Sequence, residues 1–288
     1  MANSTKTSGS GFCMLPWRES FREGGIENLS SPEIAVLPVL VIHANQDRKA
    51  YPGYELISAI AQVSKTTVAK AIESLVAKKL IAKSTDVGKV YSHNVYKLLF
   101  SYDKNNGDAS YKRQWIALHR ELFDSGAWGK MSPSIRRVYL ILRAFAWAGI
   151  NANRPDENDT GFVEVYERGK WRKLNGSDIQ FLSGRVYEPA MFARLSDVKE
   201  RTYRKAMEWL VENSLIIPYD GDKANGFVIP FWPKVYFSDV VAAIEKAQKA
   251  TVDRRNKAST GAKRSLGAAI RRQNAPGKPT SLAGKKQG

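Results

Sequence analysis

Apolar residues recur at helical spacing in two stretches of this chain that align with each other without a gap. Val63 to Ile81 reads VSKTTVAKAIESLVAKKLI, and Val198 to Ile216 reads VKERTYRKAMEWLVENSLI. Nine positions are identical: Val63/Val198, Thr67/Thr202, Lys70/Lys205, Ala71/Ala206, Glu73/Glu208, Leu75/Leu210, Val76/Val211, Leu80/Leu215 and Ile81/Ile216. Within each copy one helix face is apolar, Val68, Ala71, Ile72 and Leu75 in the first, Tyr203, Ala206, Met207 and Leu210 in the second, and this face is predicted to be core. The opposite face carries Lys65, Thr66, Ala69 and Lys70 in copy one, and Arg201, Thr202, Arg204 and Lys205 in copy two. Those side chains are left to meet something else.

A shorter apolar-patterned segment precedes each of these helices by a few residues: Leu56, Ile57 and Ile60 in one copy, Met191, Phe192 and Leu195 in the other. Two helices joined by a tight turn are therefore predicted twice. Leu80 to Ser84 and Val90 to Phe100 read as strands around the turn Asp86-Val87-Gly88-Lys89. Leu215 to Pro218 and Phe227 to Pro230 repeat this around Asp220 to Gly226. Each hairpin is a candidate wing, with Lys89 and Lys223 at its turn.

Upstream, a first helix opens in each copy at Ser31-Pro32 and Ser132-Pro133, where Ser can cap exposed amides and Pro fits the first turn. Pro38 is expected to kink the first of these. Aromatic lead-ins, around Trp17 and from Trp115 to Trp128, are read as segments that each pack across their own module. Between the first and second helices of copy two lies an insertion at about 151–187. There Phe162 to Arg168 alternates and Arg168-Gly169-Lys170 turns into Trp171 to Leu174, predicting an added β-hairpin. The expected fold is α+β: two tandem winged-helix domains at residues 26–105 and 106–250, a flexible N-terminus over 1–25 and a disordered basic tail over 251–288.

Charge changes the picture more than composition does. Forty-five Lys and Arg against 28 Asp and Glu leave +17, which points to a polyanionic partner. After Thr251 the chain holds Arg254, Arg255, Lys257, Lys263, Arg264, Arg271, Arg272, Lys278, Lys285 and Lys286 against Asp253 alone. Few apolar residues accompany them, so disorder and salt-dependent, sequence-independent binding are expected. Cys13 is the one cysteine, which excludes an intrachain disulfide framework. Met1 to Gly11 lacks the apolar core of a secretory signal, and the longest apolar run, Ile34 to Ile42, is too short to span a membrane. A cytoplasmic protein without membrane contact is expected.

Enzyme chemistry finds little support. His43, His93 and His119 lie far apart in sequence, no Gly-x4-Gly-Lys-Ser/Thr run occurs, and no cofactor is expected. Asp156, Asn158, Thr160, Gly161 and Glu167 fit a calcium-loop spacing, but the strand-like Val163, Val165 and Tyr166 favour an acidic surface loop.

On Tyr54 to Ile81, Trp128 to Trp147 and Glu188 to Ile216, together with the two hairpins, the chain resembles the tandem winged-helix replication initiators of plasmids and related mobile elements. More broadly it is similar to bacterial winged-helix regulators. The resemblance implies a non-enzymatic protein whose recognition helices enter major grooves of double-stranded DNA, reading successive parts of repeated origin sites. By position, Ser64, Lys65, Thr66, Thr67 and Lys70 would be the contacts of copy one, and Lys199, Arg201, Thr202, Arg204 and Lys205 those of copy two. Lys199 stands where Ser64 serves as cap, a departure in copy two. The N-terminal turns of such a helix reach base edges, and cations further along neutralise phosphates. A host replication initiator or replicative helicase is the implied protein partner. The plainer Lys and Thr face of copy one also suits pairing between protomers as a homodimer. A transcriptional regulator of its own or a neighbouring operon is the alternative function.

Overall fold

The structure is a computed structural model that describes residues 12–16, 28–87, 92–100, 115–148, 162–167, 169–175, 179–184, 187–221, 224–231 and 234–273. The first copy runs from helix α1 (Ser31–Ile42) through α2 (Tyr54–Ala61) to α3 (Lys65–Ala77), then strands β3 (Ile81–Val87) and β4 (Ser92–Leu98). A short strand, β2 (Lys49–Ala50), adds to β4, giving the order β2-β4-β3. The second copy runs from α6 (Pro133–Phe145) through α7 (Pro189–Leu195) to α8 (Glu200–Glu212), then β10 (Ile217–Gly221) and β11 (Ala224–Pro230). Its sheet is ordered β10-β11-β9-β6, with β6 at Trp147–Ala148 and β9 at Ile179–Ser183. In both copies a strand from between the first and second helices pairs with the returning strand of the hairpin.

The sequence repeat is also a repeat of backbone conformation. The second helix ends on a left-handed residue in each copy, Gln62 (φ 51°) and Asp197 (φ 53°), and the third is followed by another, Lys79 (φ 55°) and Ser214 (φ 55°). Val63 N donates to Ser58 O at 3.3 Å, and its counterpart Val198 N donates to Ala193 O at 3.1 Å. Leu80 N to Leu75 O (3.0 Å) and Leu215 N to Leu210 O (2.9 Å) close the third helices in the same way. The identical Val63/Val198 and Leu80/Leu215 sit at these bends, where the chain turns to keep its apolar positions on one core. Val68, Ala71, Ile72 and Leu75 are buried, as are Tyr203, Ala206, Met207 and Leu210.

At several places the structure differs from the sequence reading or adds to it. Ser30, not Ser31, caps α1, its backbone N–H donating to Glu33 Oε2 at 2.5 Å. The helix continues through Pro38, within a stretch, Glu33 to Ile42, that is buried throughout, so packing on all sides holds the turn that proline weakens. The lead-ins pack on their own modules, β1 on α1 and β5 on α6, and they also meet each other. Strand β1 (Phe12–Pro16) pairs antiparallel with β5 (Trp115–His119), Met14 opposite Ala117. The N-terminus is thus ordered over 12–16, where Leu15 is fully buried and burial pushes the Cys13 thiol up to about 12. The hairpin of copy two extends to Gly221 and Ala224, through polar residues with no apolar alternation to announce a strand. Finally, the disorder expected from Thr251 is replaced by helix. Helix α9 spans Ser238–Gln273, crossing the boundary drawn at residue 250. The alanine and Lys/Arg content favours helix without a core, and the docked first half supplies the nucleus that an isolated helix lacks.

Helices α1 and α6 pack on each other, and one cluster of buried residues runs through both copies. Trp128, fully buried on α5 (Ala127–Lys130), donates Nε1 to Ala35 O of α1 at 3.0 Å. Arg136 of α6 donates to Ala61 O at the end of α2 (2.6 Å) and to Trp128 O (3.0 Å). Short helix α4 (Glu121–Asp124) precedes α5, with Phe123 packed against Trp128. Corresponding elements of the two copies therefore touch corresponding elements, β1 with β5 and α1 with α6, which is the pattern of an isologous contact within one chain.

In the inserted segment, β7 (Phe162–Glu167) and β8 (Lys170–Asn175) form a hairpin around Gly169, whose φ of +79° suits glycine. Val165 and Leu174 pack with Ile179, Phe181, Ile217 and Val228 in a smaller second core. Residues 156, 158, 160 and 161 of the candidate calcium loop lie outside the described residues. Among the described residues no cluster of His, Cys, Asp and Glu could hold a metal ion, and no helix is long and apolar enough to cross a membrane.

Candidate nucleic-acid interface

The start of α3 is built by local hydrogen bonding. Ser64 caps the helix, Oγ accepting from Thr67 N at 3.1 Å and lying 2.8 Å from Thr67 Oγ1. Two of the five copy-one candidates, Ser64 and Thr67, therefore spend hydrogen bonds on each other. Lys65, Thr66 and Lys70 are exposed, and Lys65 Nζ lies 2.6 Å from Glu55 Oε1 of α2. Glu55 also pairs with Arg254 of α9. One carboxylate thus holds a cation from the start of α3 and another from the C-terminal helix.

At α8 the cap position is Lys199, and no side chain bonds the first amides. The first turn there leaves amides and cations facing outward together, a setting that favours an anion. Lys199, Arg201, Arg204 and Lys205 are exposed and Thr202 is half-buried. Arg204 pairs with Glu200 one turn earlier at 2.6 Å, whereas Arg201 has no ion-pair partner among the described residues. Trp209 on the same helix stacks on Phe237 (centroids 6.1 Å apart, planes 11° apart), which fixes the entry to α9.

Lys89 and Lys223 lie outside the described residues. Arg254 and Arg255 are exposed on α9. Lys263, Arg264, Arg271 and Arg272 occupy positions on the helical stretch that ends at Gln273. The structure thus gathers the copy-one candidates and Arg254 at one end of the first helix-turn-helix, while the copy-two candidates line a separate face.

Sequence reading missed Glu55 and the seat of α9. Glu55 carries no motif of its own. The seat had a signal: Val240, Val241, Ile244 and Ala247, all buried, recur at helical spacing ahead of the basic stretch. Helix α9 packs directly on α2. Lys130 anchors its start by pairing with Asp239 at 2.7 Å, and Phe237 N donates to Ser125 O at 2.9 Å.

No curated protein and no solved structure matches the chain. Residues 27–81, from just before α1 to the start of β3, match the family model described as a helix-turn-helix domain, which supports DNA binding by the first copy.

Proposed function

We propose that the protein is a non-enzymatic, cytoplasmic, sequence-specific binder of double-stranded DNA built from two winged-helix modules, and that it initiates replication of a plasmid or other mobile element at repeated origin sites. The observation that carries this reading is the backbone repeat. Copy two reproduces the left-handed turn residues and turn hydrogen bonds of the helix-turn-helix domain in copy one. Its third helix offers four exposed cations in its first turns. Two reading heads held on one core fit a site longer than one major-groove contact, and Arg201 and Arg204 have the donor geometry to read guanine. A host replication initiator or replicative helicase is the partner that this role calls for.

A regulator of its own or a neighbouring operon is the second reading. The contact of like elements, β1 with β5 and α1 with α6, imitates within one chain the dimer that a palindromic operator meets. A selection of duplexes from a random library, followed by mapping of the recovered sites beside the coding region, separates the two. Iterated direct repeats support initiation, and a single palindrome supports regulation. Failure to recover any preferred duplex would overturn both.

A further inference from the structure

We propose that the basic half of α9 is a directed arm of the first module, laid along the DNA backbone that flanks the module-one site. The inference rests on the DNA-binding reading above and adds a place and a direction to what was expected of the tail. Helix α9 runs antiparallel to α2. A Cβ placed on Gly129 would meet Val240 together with Gln62 and the carbonyl of Ile60 at the end of α2, which sets the start of α9 there, whereas Arg254 meets Glu55 at the start of α2. Between these points Ala243, Lys246, Ala247 and Ala250 face Glu55, Ser58, Ala59 and Gln62 across a shallow groove. The helix therefore leaves the body beside Lys65, where α3 begins, and it carries its cations outward from that point.

Burial ends where the charge begins. Val240, Val241, Ile244 and Ala247 are buried, and from Val252 to Lys257 every residue is exposed. Residues 251–273 at a rise of about 1.5 Å per residue reach about 35 Å, roughly ten base steps. A helix that carries its cations outward from the first turn of a DNA-reading helix can follow a run of phosphates beyond the groove. A loose polycation would have neither a side nor a reach.

The test uses the full chain, a duplex selected by it from a random library, and hydroxyl-radical footprinting. We expect protection to extend about ten base pairs beyond the module-one site and on that side only. A Gly-Gly-Ser-Gly insertion after Ala250 keeps every charge, and it should remove the extension while leaving the slope of log affinity against log salt nearly unchanged. Truncation after Ala250 should remove the extension and also lower the slope by about 3 to 4, at about 0.9 per phosphate contact. Glu55→Gln, which loosens the seat without touching α9, should blur the boundary of protection. Persistence of the full extension in the insertion variant, or protection beyond the module-two site, overturns the directed arm and leaves DNA recognition standing. Recovery of no preferred duplex overturns the reading beneath it as well.

Discussion

Arg136 of α6 sends one guanidinium nitrogen to within 2.6 Å of the carbonyl of Ala61, the last residue of α2, so the second copy directly caps the helix that precedes α3. The same side chain bonds the carbonyls of Trp128 (3.0 Å) and Gly129 (3.2 Å), and it is 3 % exposed. Burial brings its pKa down to about 10, and at neutral pH it remains a buried cation satisfied by three carbonyls.

Arg136→Met should remove that cation and leave the three carbonyls without their donor, at a cost of about 3 kcal/mol or more in stability. Arg136→Lys should lose less, since an ammonium keeps the charge but not the planar fork. Because one core runs through both copies, denaturant unfolding should be a single transition in the unmodified chain. Two resolved transitions, one per copy, would show that the link between the copies is weaker than this packing implies.

Glu33 sets a pH dependence at the other end of the first module. Burial pushes its carboxyl up, but hydrogen bonds from Lys78, Ser74 and Ser30 outweigh that and hold it below the ordinary 4.5. Lys78 Nζ and Ser74 Oγ donate at 2.7 and 2.6 Å, tying α1 to the end of α3. A folded pKa below the unfolded one adds stability that is fully present above the unfolded value and is lost as pH falls through the folded value. Unfolding free energy should therefore decline below about pH 4.5. Glu33→Gln should be less stable by about 1–3 kcal/mol at pH 7 and show a shallower acid decline. Equal acid slopes in the two proteins would remove Glu33 from the account.

Ser214 combines a left-handed backbone, φ 55°, with a buried hydroxyl that has no hydrogen-bond partner among the described residues. Glycine at this position relieves both, since it adopts positive φ freely and has no hydroxyl to desolvate. Ser214→Gly should raise stability by about 0.5–1 kcal/mol, read as a shift of the denaturation midpoint. Ser214→Ala, which removes only the hydroxyl, should gain less.

Gly226 is required for the opposite reason. A Cβ there would stand 2.1 Å from the carbonyl oxygen of Leu182 on β9, and its φ is +150°. Gly226→Ala must part β11 from β9 and should cost about 2–3 kcal/mol, with the loss felt in the hairpin of the second module before the rest of the fold. Faster amide exchange confined to residues 179–183 and 224–230 would report that separation.

These positions also mark what a sequence can tell and what it cannot. The third helices are legible because Val68, Ala71, Ile72 and Leu75 recur in register with Tyr203, Ala206, Met207 and Leu210, and periodicity is a local signal. The inserted hairpin is legible for the same reason, through Val163, Val165 and the turn at Gly169. The pairing of β1 with β5 is not, because nothing local in Phe12 to Pro16 names a strand about a hundred residues away. Among the candidate contacts, exposure of Lys65, Lys70, Arg201 and Lys205 follows from helical phase. The engagement of Lys65 by Glu55 depends on how α2 crosses α3, and a pattern along one helix does not contain it.

That engagement separates the expected behaviour of α3 and α8 under the proposed function. The pair Lys65–Glu55 is largely exposed, with 60 % of the lysine side chain and 30 % of the carboxylate accessible. Such pairs are worth about 0–1 kcal/mol, so a phosphate can take the lysine at little cost. Lys65→Ala should weaken duplex binding by a similar factor for every sequence and lower the salt slope by about 1. Arg201 is exposed with no ion pair to break among the described residues, and its fork can span two acceptors on a guanine edge. Arg201→Ala should cost about 1–3 kcal/mol on the preferred site and far less on unrelated duplexes, flattening preference at one or two positions. Titrations of both variants against the selected duplex and a scrambled one, at several salt concentrations, decide the matter. If Arg201→Ala lowered affinity for both duplexes alike, α8 would be holding the backbone, and reading of bases would have to come from elsewhere.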